Sequence, residues 1–346
     1  MAEITLERLT KDFGSIVAVN DLQLTMPDGS FIALLGPSGC GKTTTMNMIS
    51  GLERPSSGEI YFDDVAVSRV EPGRRNVGFV FQNYAIFTHM RVYDNLAFGL
   101  RVRKPKPSKQ EIDDEVRRVA EIVGVQSALD RKAGRLSVND MQKVALGRSM
   151  IVNPAIFLLD EPFSNLDAAF RAYMRAELKR IQHEMGQTMV YVTHDQVEAM
   201  SMADKIAVMD LGVLQQYGSP QEIYNSPANR FVAGFVGSTQ MNFLPAREVP
   251  IELPTNAPDG RGITVGVRPE NLTLAAPDSP EAALKARVSL VEPLGAKDVV
   301  HLTIDQYDVR VIATPGTRPR IGDNVGVVLD RQRIHLFDDE TGKALR

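Results

Sequence analysis

Three short runs carry residue types that handle phosphate and water. The first is Gly36-Pro37-Ser38-Gly39-Cys40-Gly41-Lys42-Thr43, followed by Thr44. Glycines at 36, 39 and 41 let a backbone approach a phosphate and aim successive N–H groups at it. Lys42 adds a point charge for the outer phosphates, and the Thr43 hydroxyl suits a magnesium ligand. The second is Asp160-Glu161, closing the apolar run Ile156-Phe157-Leu158-Leu159. There Asp160 can hold magnesium, directly or through water, and Glu161 can polarise an attacking water. The third is His194, which ends Val190-Tyr191-Val192-Thr193 and can contact a terminal phosphate and hold that water.

Each run has a plainer reading: a chance glycine loop, a solvated acidic turn, a structural histidine. Context favours the chemical one. The glycine loop follows an expected strand, Phe31 to Leu35, and opens an expected helix, Lys42 to Ser50, which is the setting of a phosphate site. A buried strand that ends in two acids places them at the carboxyl edge of a sheet, where ligands bind in α/β folds. His89, His183, His301 and His335 show no ligand-like grouping, so no histidine metal site is expected.

The elements that must position these groups alternate. Ile16 to Met26 reads as a strand and Asp28-Gly29 as a tight turn. Gly58 to Asp63 and Val77 to Gln82 are further strands, and sheet-type sequence resumes at Ala155, Val190 to Val192 and Ile206 to Val208. Residues 101–108 are basic and proline-broken, a linker. Ile112, Val116, Val119 and Val123 have helical spacing, so a helical insert is expected over about 100–150. The pattern predicts an α/β fold over 1–237. From 238 to 346 short β runs separated by glycine and proline turns predict a small all-β, OB-like barrel.

Two domains suit 346 residues, and 43% hydrophobic with 24% charged residues suits a soluble chain with a real core. A net charge of −4 argues against nucleic-acid binding driven by overall charge. The single cysteine, Cys40, excludes an intrachain disulfide and fits a reducing compartment. No apolar run reaches the roughly 20 residues that span a bilayer, and the first residues lack signal-peptide character. A cytosolic chain that meets a membrane only through partners is expected.

Together with Val80-Phe81-Gln82, Val144-Ala145-Leu146-Gly147-Arg148, Leu159-Asp160-Glu161-Pro162, Ser164-Asn165-Leu166-Asp167 and Thr193-His194-Asp195, the glycine loop makes the chain resemble ABC-transporter ATPase subunits of the maltose and glycerol-phosphate importer type. Met241-Asn242-Phe243-Leu244 and Gly266-Val267-Arg268-Pro269-Glu270 resemble the TOBE-type β-barrel tail of that group. The resemblance implies ATP and Mg²⁺ as cofactors, with catalytic roles for Glu161, His194 and Gln82, and Thr43, Asp160 and Gln82 on the metal. It implies that Phe13 stacks on adenine (the alternative is a core phenylalanine). It further implies that Gln82 senses the membrane subunit and that residues 84–92 receive that subunit's coupling helix. Asp167 would bridge two ATPase subunits. Two such chains would close head to tail, each ATP lying between the glycine loop of one and the signature, with Ser137, of the other. The expected assembly contains two integral-membrane permease subunits at the cytoplasmic face of the membrane and an extracytoplasmic solute-binding protein, with no nucleic acid. The solute would be a carbohydrate, a glycerol-like polyol or glycerol phosphate. A soluble ABC protein outside transport is the alternative class, which lacks the tail and the coupling groove.

One motif departs from the family. Leu136-Ser137-Val138-Asn139-Asp140 stands where the family reads Leu-Ser-Gly-Gly-Gln, and Thr88 replaces a common proline of the coupling segment. Val138 puts a branched Cβ where close backbone approach is expected. Asp140 would repel a partner's phosphate by about 2–3 kcal/mol per charge pair before screening. Ser137 and Asp140 still match a capping box for the following helix. Three readings follow: a heterodimer with a second ATPase subunit whose signature is intact, a slow homodimer, or a regulatory subunit. Intact Glu161 and His194 favour the heterodimer.

Overall fold

The computed structural model describes residues 2–81, 84–164, 166–251, 262–314 and 319–345. Within it the chain divides into two compact units, 1–220 and 221–346.

In chain order the first unit contains β1 (Ile4–Asp12), β2 (Val17–Met26), β3 (Phe31–Leu35), α1 (Lys42–Ser50), β4 (Ser57–Phe62), β5 (Val65–Ala66), β6 (Val77–Val80), α2 (Val92–Val102), α3 (Lys109–Ile122), α4 (Val138–Met150), β7 (Ile156–Asp160), α5 (Ala168–Met185), β8 (Thr188–Thr193), α6 (Gln196–Met202), β9 (Lys205–Asp210) and β10 (Val213–Gly218). Strands β2-β1-β4-β5 form an antiparallel sheet, and a second sheet runs β10-β9-β3-β8-β7-β6. In that second sheet the five strands from β9 to β6 are parallel and β10 is antiparallel.

Every residue of β3 and β8 is buried, as both faces of a covered parallel sheet require. One core joins the two sheets, with Ile4, Leu22, Ile32, Met46, Ile60, Leu158, Val190 and Ala207 among its members. Each of these side chains except the small Ala207 contributes about 1.5–3 kcal/mol by leaving water. The register sets the strand ends level: Leu35 lies beside Thr193, and Val192 beside Asp160. The three motif-bearing strands are thus neighbours in the order β3-β8-β7, about 5 Å apart.

The expected insert is helical, but it begins earlier, at Val92 rather than near 100. Asn95 accounts for part of this. Fully buried, it accepts the Phe87 N–H at 2.8 Å and donates to the carbonyls of Phe87 and Arg91 at 2.9 and 3.0 Å. That anchors the first turn of α2 to the segment before it. Residues 103–108 connect α2 to α3, and Ser108 and Glu111 cap α3 reciprocally.

The second unit opens with α7 (Pro220–Asn225) and α8 (Arg230–Phe235). Then come β11 (Asn242–Pro245), β12 (Ile263–Val267), β13 (Leu272–Ala275), β14 (Leu284–Pro293), β15 (Asp298–Ile304), β16 (Tyr307–Ala313), β17 (Asn324–Leu329), β18 (Ile334–Asp338) and β19 (Ala344–Leu345). Two antiparallel sheets, β11-β12-β18-β19 and β13-β17-β14-β15-β16, curl around one apolar core that includes Leu244, Val265, Val288, Val300, Val311 and Val327. The Asn242 side chain ties them together, accepting from Arg310 N at 2.7 Å and donating to Arg310 O at 2.8 Å.

The compositional change at 238 marks where the β runs start, whereas the packing divides between 220 and 221. Residues 221–237 pack on the second unit: Arg230 N donates to Gly342 O at 2.7 Å, and the buried Arg268 donates to the carbonyls of Tyr224 and Val236. Burial lowers the Arg268 pKa, and its guanidinium lies over the Tyr224 ring.

Candidate active site

The glycine loop joins β3 to α1, as the sequence requires. Gly39 and Gly41 have φ of 83° and 98°. The glycines are needed for different reasons. A Cβ at Gly36 would meet Met209 O at 2.2 Å, and one at Gly41 would meet Ala18 O at 2.3 Å. Those two are demanded by neighbouring strands. A Cβ at Gly39 would meet nothing within 4 Å, so only there is the space next to the backbone open. Pro37 is half-buried, and Ser38 is exposed beside Gly39. Lys42 is buried, its Nζ donating to Gly36 O at 2.9 Å and Pro37 O at 2.8 Å. Thr43 is exposed and Thr44 half-buried at the N-terminus of α1.

Cys40 is in the core beneath the loop, with Sγ 3.6 Å from Lys42 Nζ. Burial raises its thiol pKa, against the lowering pull of Lys42. A freely reactive thiol is therefore not what the loop presents.

Thr43 Oγ1 donates to Asp160 Oδ1 at 3.2 Å. Burial raises the Asp160 pKa, the Thr43 bond opposing it and the neighbouring Glu161 charge adding to it. A desolvated carboxylate beside a hydroxyl is a hard-oxygen pair. Magnesium, which keeps waters and substrate phosphates as its other ligands, fits such a pair. Among the described residues no cluster of three or more His, Cys, Asp or Glu could hold a metal by itself.

Past Asp160 the chain turns sharply. Glu161 has φ of 44°, while its N–H still continues the ladder to Val192 O at 3.0 Å. A non-glycine residue held left-handed at a strand end is the kind of strain found where a side chain must be aimed. The side chain is aimed at His194, whose Nδ1 lies 3.0 Å from Glu161 Oε1. A carboxylate only accepts, so the ring N–H donates.

Other expected site residues stand apart from this group. Phe13 is 55% exposed, with Lys11 Nζ 4.7 Å from its ring centre, which removes the core-phenylalanine alternative. Asp167 caps α5, accepting the Phe170 N–H at 2.9 Å. Ser137 caps α4, accepting the Asp140 N–H at 3.1 Å. Among the described residues, neither Ser137 nor Asp167 hydrogen-bonds to the Lys42–Asp160–Glu161–His194 group. Gln82 lies outside the described residues.

The expected capping box at α4 forms only by half. Asp140 takes the Ser137 hydroxyl at 2.9 Å, whereas in α3 the longer Glu111 reaches back to Ser108 N at 2.7 Å. Aspartate is one methylene shorter. The Ser137 hydroxyl is thus engaged by a carboxylate, and Val138 beside it is 44% exposed.

Sequence reasoning passed over the supports of the site. Gln142, fully buried on α4, donates to Pro162 O at 2.5 Å and so links the signature helix to the turn after Glu161. Tyr191, Glu198 and Arg171 form a polar network next to His194. The only signal for Glu198 was an acid inside the apolar pattern Val197, Ala199, Met202.

These features define an ABC-type ATPase, and comparison with known proteins agrees. Residues 19–164 match the ABC transporter family, and residues 265–337 match the TOBE domain family. The trehalose/maltose import ATP-binding protein of Thermococcus litoralis is 47% identical over 376 residues, with 100% of both chains covered. The sn-glycerol-3-phosphate import ATP-binding protein of Cereibacter sphaeroides is 45% identical, again with 100% of both covered. Among solved structures, cbiO1 of Clostridium perfringens, part of an ABC transporter complex, matches with a TM-score of 0.60 and 27% identity over 64% of this chain and 89% of that one. A dimeric ATP-binding cassette bound to ADP and Pi matches with a TM-score of 0.57 and 28% identity over 63% of this chain and 98% of that one. The chain belongs to the ABC transporter ATPase family, and it is an ATPase with a TOBE domain. No helix among the described residues is long and apolar enough to cross a membrane.

Proposed function

We propose that this chain energises an importer for a carbohydrate, a glycerol-like polyol or glycerol phosphate. Full-length similarity to import ATP-binding proteins for trehalose/maltose and for glycerol 3-phosphate carries the solute class. Residues 1–237 would carry the nucleotide-binding part and 238–346 a regulatory part, with 221–237 as the connection that packs on the second unit. The chain would dock on two permease subunits at the cytoplasmic face, supplied by an extracytoplasmic binding protein.

In this reading the loop 36–44 holds the ATP phosphates, with Lys42 on the outer ones, and Phe13 stacks on adenine. Thr43 and Asp160 would hold Mg²⁺ together with Gln82. The metal would supply charge neutralisation on the phosphates. Glu161 polarises the attacking water, and His194 holds Glu161 in place and reaches the terminal phosphate. Closure of two ATP-binding subunits head to tail would drive the coupling helices, and hydrolysis would reopen the pair.

The partner is best read as a different ATP-binding subunit with an intact signature. Support comes from Asp140, whose carboxylate holds the Ser137 hydroxyl that should face the partner's ATP. A homodimer with two handicapped sites is the second reading. The test of transport is purification of the tagged chain from membranes, followed by solute uptake into proteoliposomes. Two permease subunits should co-purify, and uptake should require ATP. A chain that recovers no membrane protein points to the non-transport class.

A further inference from the structure

Next to His194 lies a polar network that the reaction itself does not use. Glu198 on α6 is 4% exposed, and its Oε2 accepts from Tyr191 Oη and Thr193 Oγ1, each at 2.6 Å. Thr193 Oγ1 also accepts the Asp195 N–H at 2.9 Å. Asp195 caps α6, taking the N–H groups of Val197 and Glu198 at 2.8 and 3.2 Å. His194 is therefore held between two residues that are themselves fixed.

Arg171, on α5, joins this network to a second segment. Its Nη1 donates to Asp195 Oδ2 at 3.2 Å, and its Nε stands 3.9 Å from Glu198 Oε1. Its Nη2 donates to Leu166 O at 3.1 Å. Leu166 directly precedes Asp167, the cap of α5.

We propose that Arg171 is a positioning residue that makes His194 follow the Leu166–Asp167 turn, so that a subunit pressing on that turn sets the His194–Glu161 pair. This rests on the reading that Asp167 faces a second ATP-binding subunit. A guanidinium is one rigid plane, so a shift of the carbonyl at one edge moves the carboxylate held at the other. On the inner side the Asp195 hydrogen bond carries the link, and the buried Glu198 carboxylate, 3.9 Å from Nε in an ion pair without a hydrogen bond, favours keeping the cation there. Lysine would keep the charge but lose the fork.

The test uses hydrogen exchange on the full chain, with Asp167→Ala as the disturbance. With Arg171 present, Asp167→Ala should speed exchange across 193–198 by about threefold or more, as coupled sites require. In an Arg171→Lys background the same disturbance should leave 193–198 unchanged, while exchange in 31–35 stays slow in all variants and reports an intact sheet. In the transporter purified with its permease and partner ATP-binding subunits, Arg171→Lys should also lower kcat about tenfold with the ATP dissociation constant within about twofold, as misplacement of a catalytic group does. Equal sensitivity in both backgrounds, no effect of Asp167→Ala at all, or an unchanged kcat would overturn the proposal. The underlying site reading fails separately: Glu161→Gln and His194→Ala would then retain full ATPase activity, whatever the exchange shows.

Discussion

His194 Nδ1 stands 3.0 Å from Glu161 Oε1, and this hydrogen bond joins the ends of two adjacent parallel strands. It exists because Val192 is level with Asp160, so that one further residue on β7 and two further on β8 bring the side chains together. The pair is expected to act as a unit. Glu161→Gln should lower kcat by about 10²–10⁴-fold, the range of a lost general base, with ATP binding retained. His194→Ala should fall in the same range, and the double variant should be little worse than either alone. Steady-state ATPase assays on the transporter purified with its partner subunits, with a separate nucleotide-binding titration, check this.

Asp160 as a carboxylate costs the fold stability at neutral pH. Its pKa is raised in the folded state by burial, so folding favours the protonated form. The stability that this gives is present below the unfolded pKa and lost as pH rises through the folded one, leaving a cost at pH 7. Asp160→Asn should therefore raise Tm at pH 7 in magnesium-free buffer while abolishing magnesium-dependent turnover. Thermal melts across pH 4–8 should show the gain shrinking toward acid.

Alkylation of Cys40 should be slow near neutrality and should speed up with pH, because burial holds the thiol pKa above its ordinary value and the thiolate is the reactive form. Once modified, the loop should no longer bind ATP, since Cys40 packs between Gly36 and Lys42. Full activity after complete modification, followed by mass spectrometry, would refute this.

Asn95→Ala should destabilise the first unit by about 1–3 kcal/mol, the usual cost of leaving buried backbone groups unpaired. The groups concerned are Phe87 N–H and C=O and Arg91 C=O. Urea unfolding monitored by circular dichroism measures it.

The strands and helices that carry the candidate site residues were legible because their signals are local. A five-residue wholly apolar run such as Phe31 to Leu35, followed at once by a glycine loop, suits a covered strand, and a glycine loop before Lys42 suits the opening of a helix. The supports were not legible because they join distant segments. Arg171 and Asp195 are 24 residues apart, and Gln142 meets a carbonyl 20 residues on. Nothing in the spacing of a lone arginine or glutamine shows which carbonyl it will find. The reasons for Gly36 and Gly41 were hidden likewise, since the crowding atoms belong to β9 and β2. The half-formed cap at Ser137 shows the opposite limit. The pattern was visible, but the length of an aspartate decided the outcome.

If the Val138-Asn139-Asp140 departure obliges this ATPase to work with a second, different subunit, as proposed above, the defect lies in the signature and repairing it should be enough. The most direct measurement is ATP turnover by the purified chain alone beside the Val138→Gly/Asn139→Gly/Asp140→Gln variant. The wild type should then be nearly inert and the variant should hydrolyse ATP, because the repaired signature can complete the site of a second copy. A wild type that already turns over well, with little gained by the variant, would contradict it and establish a working homodimer.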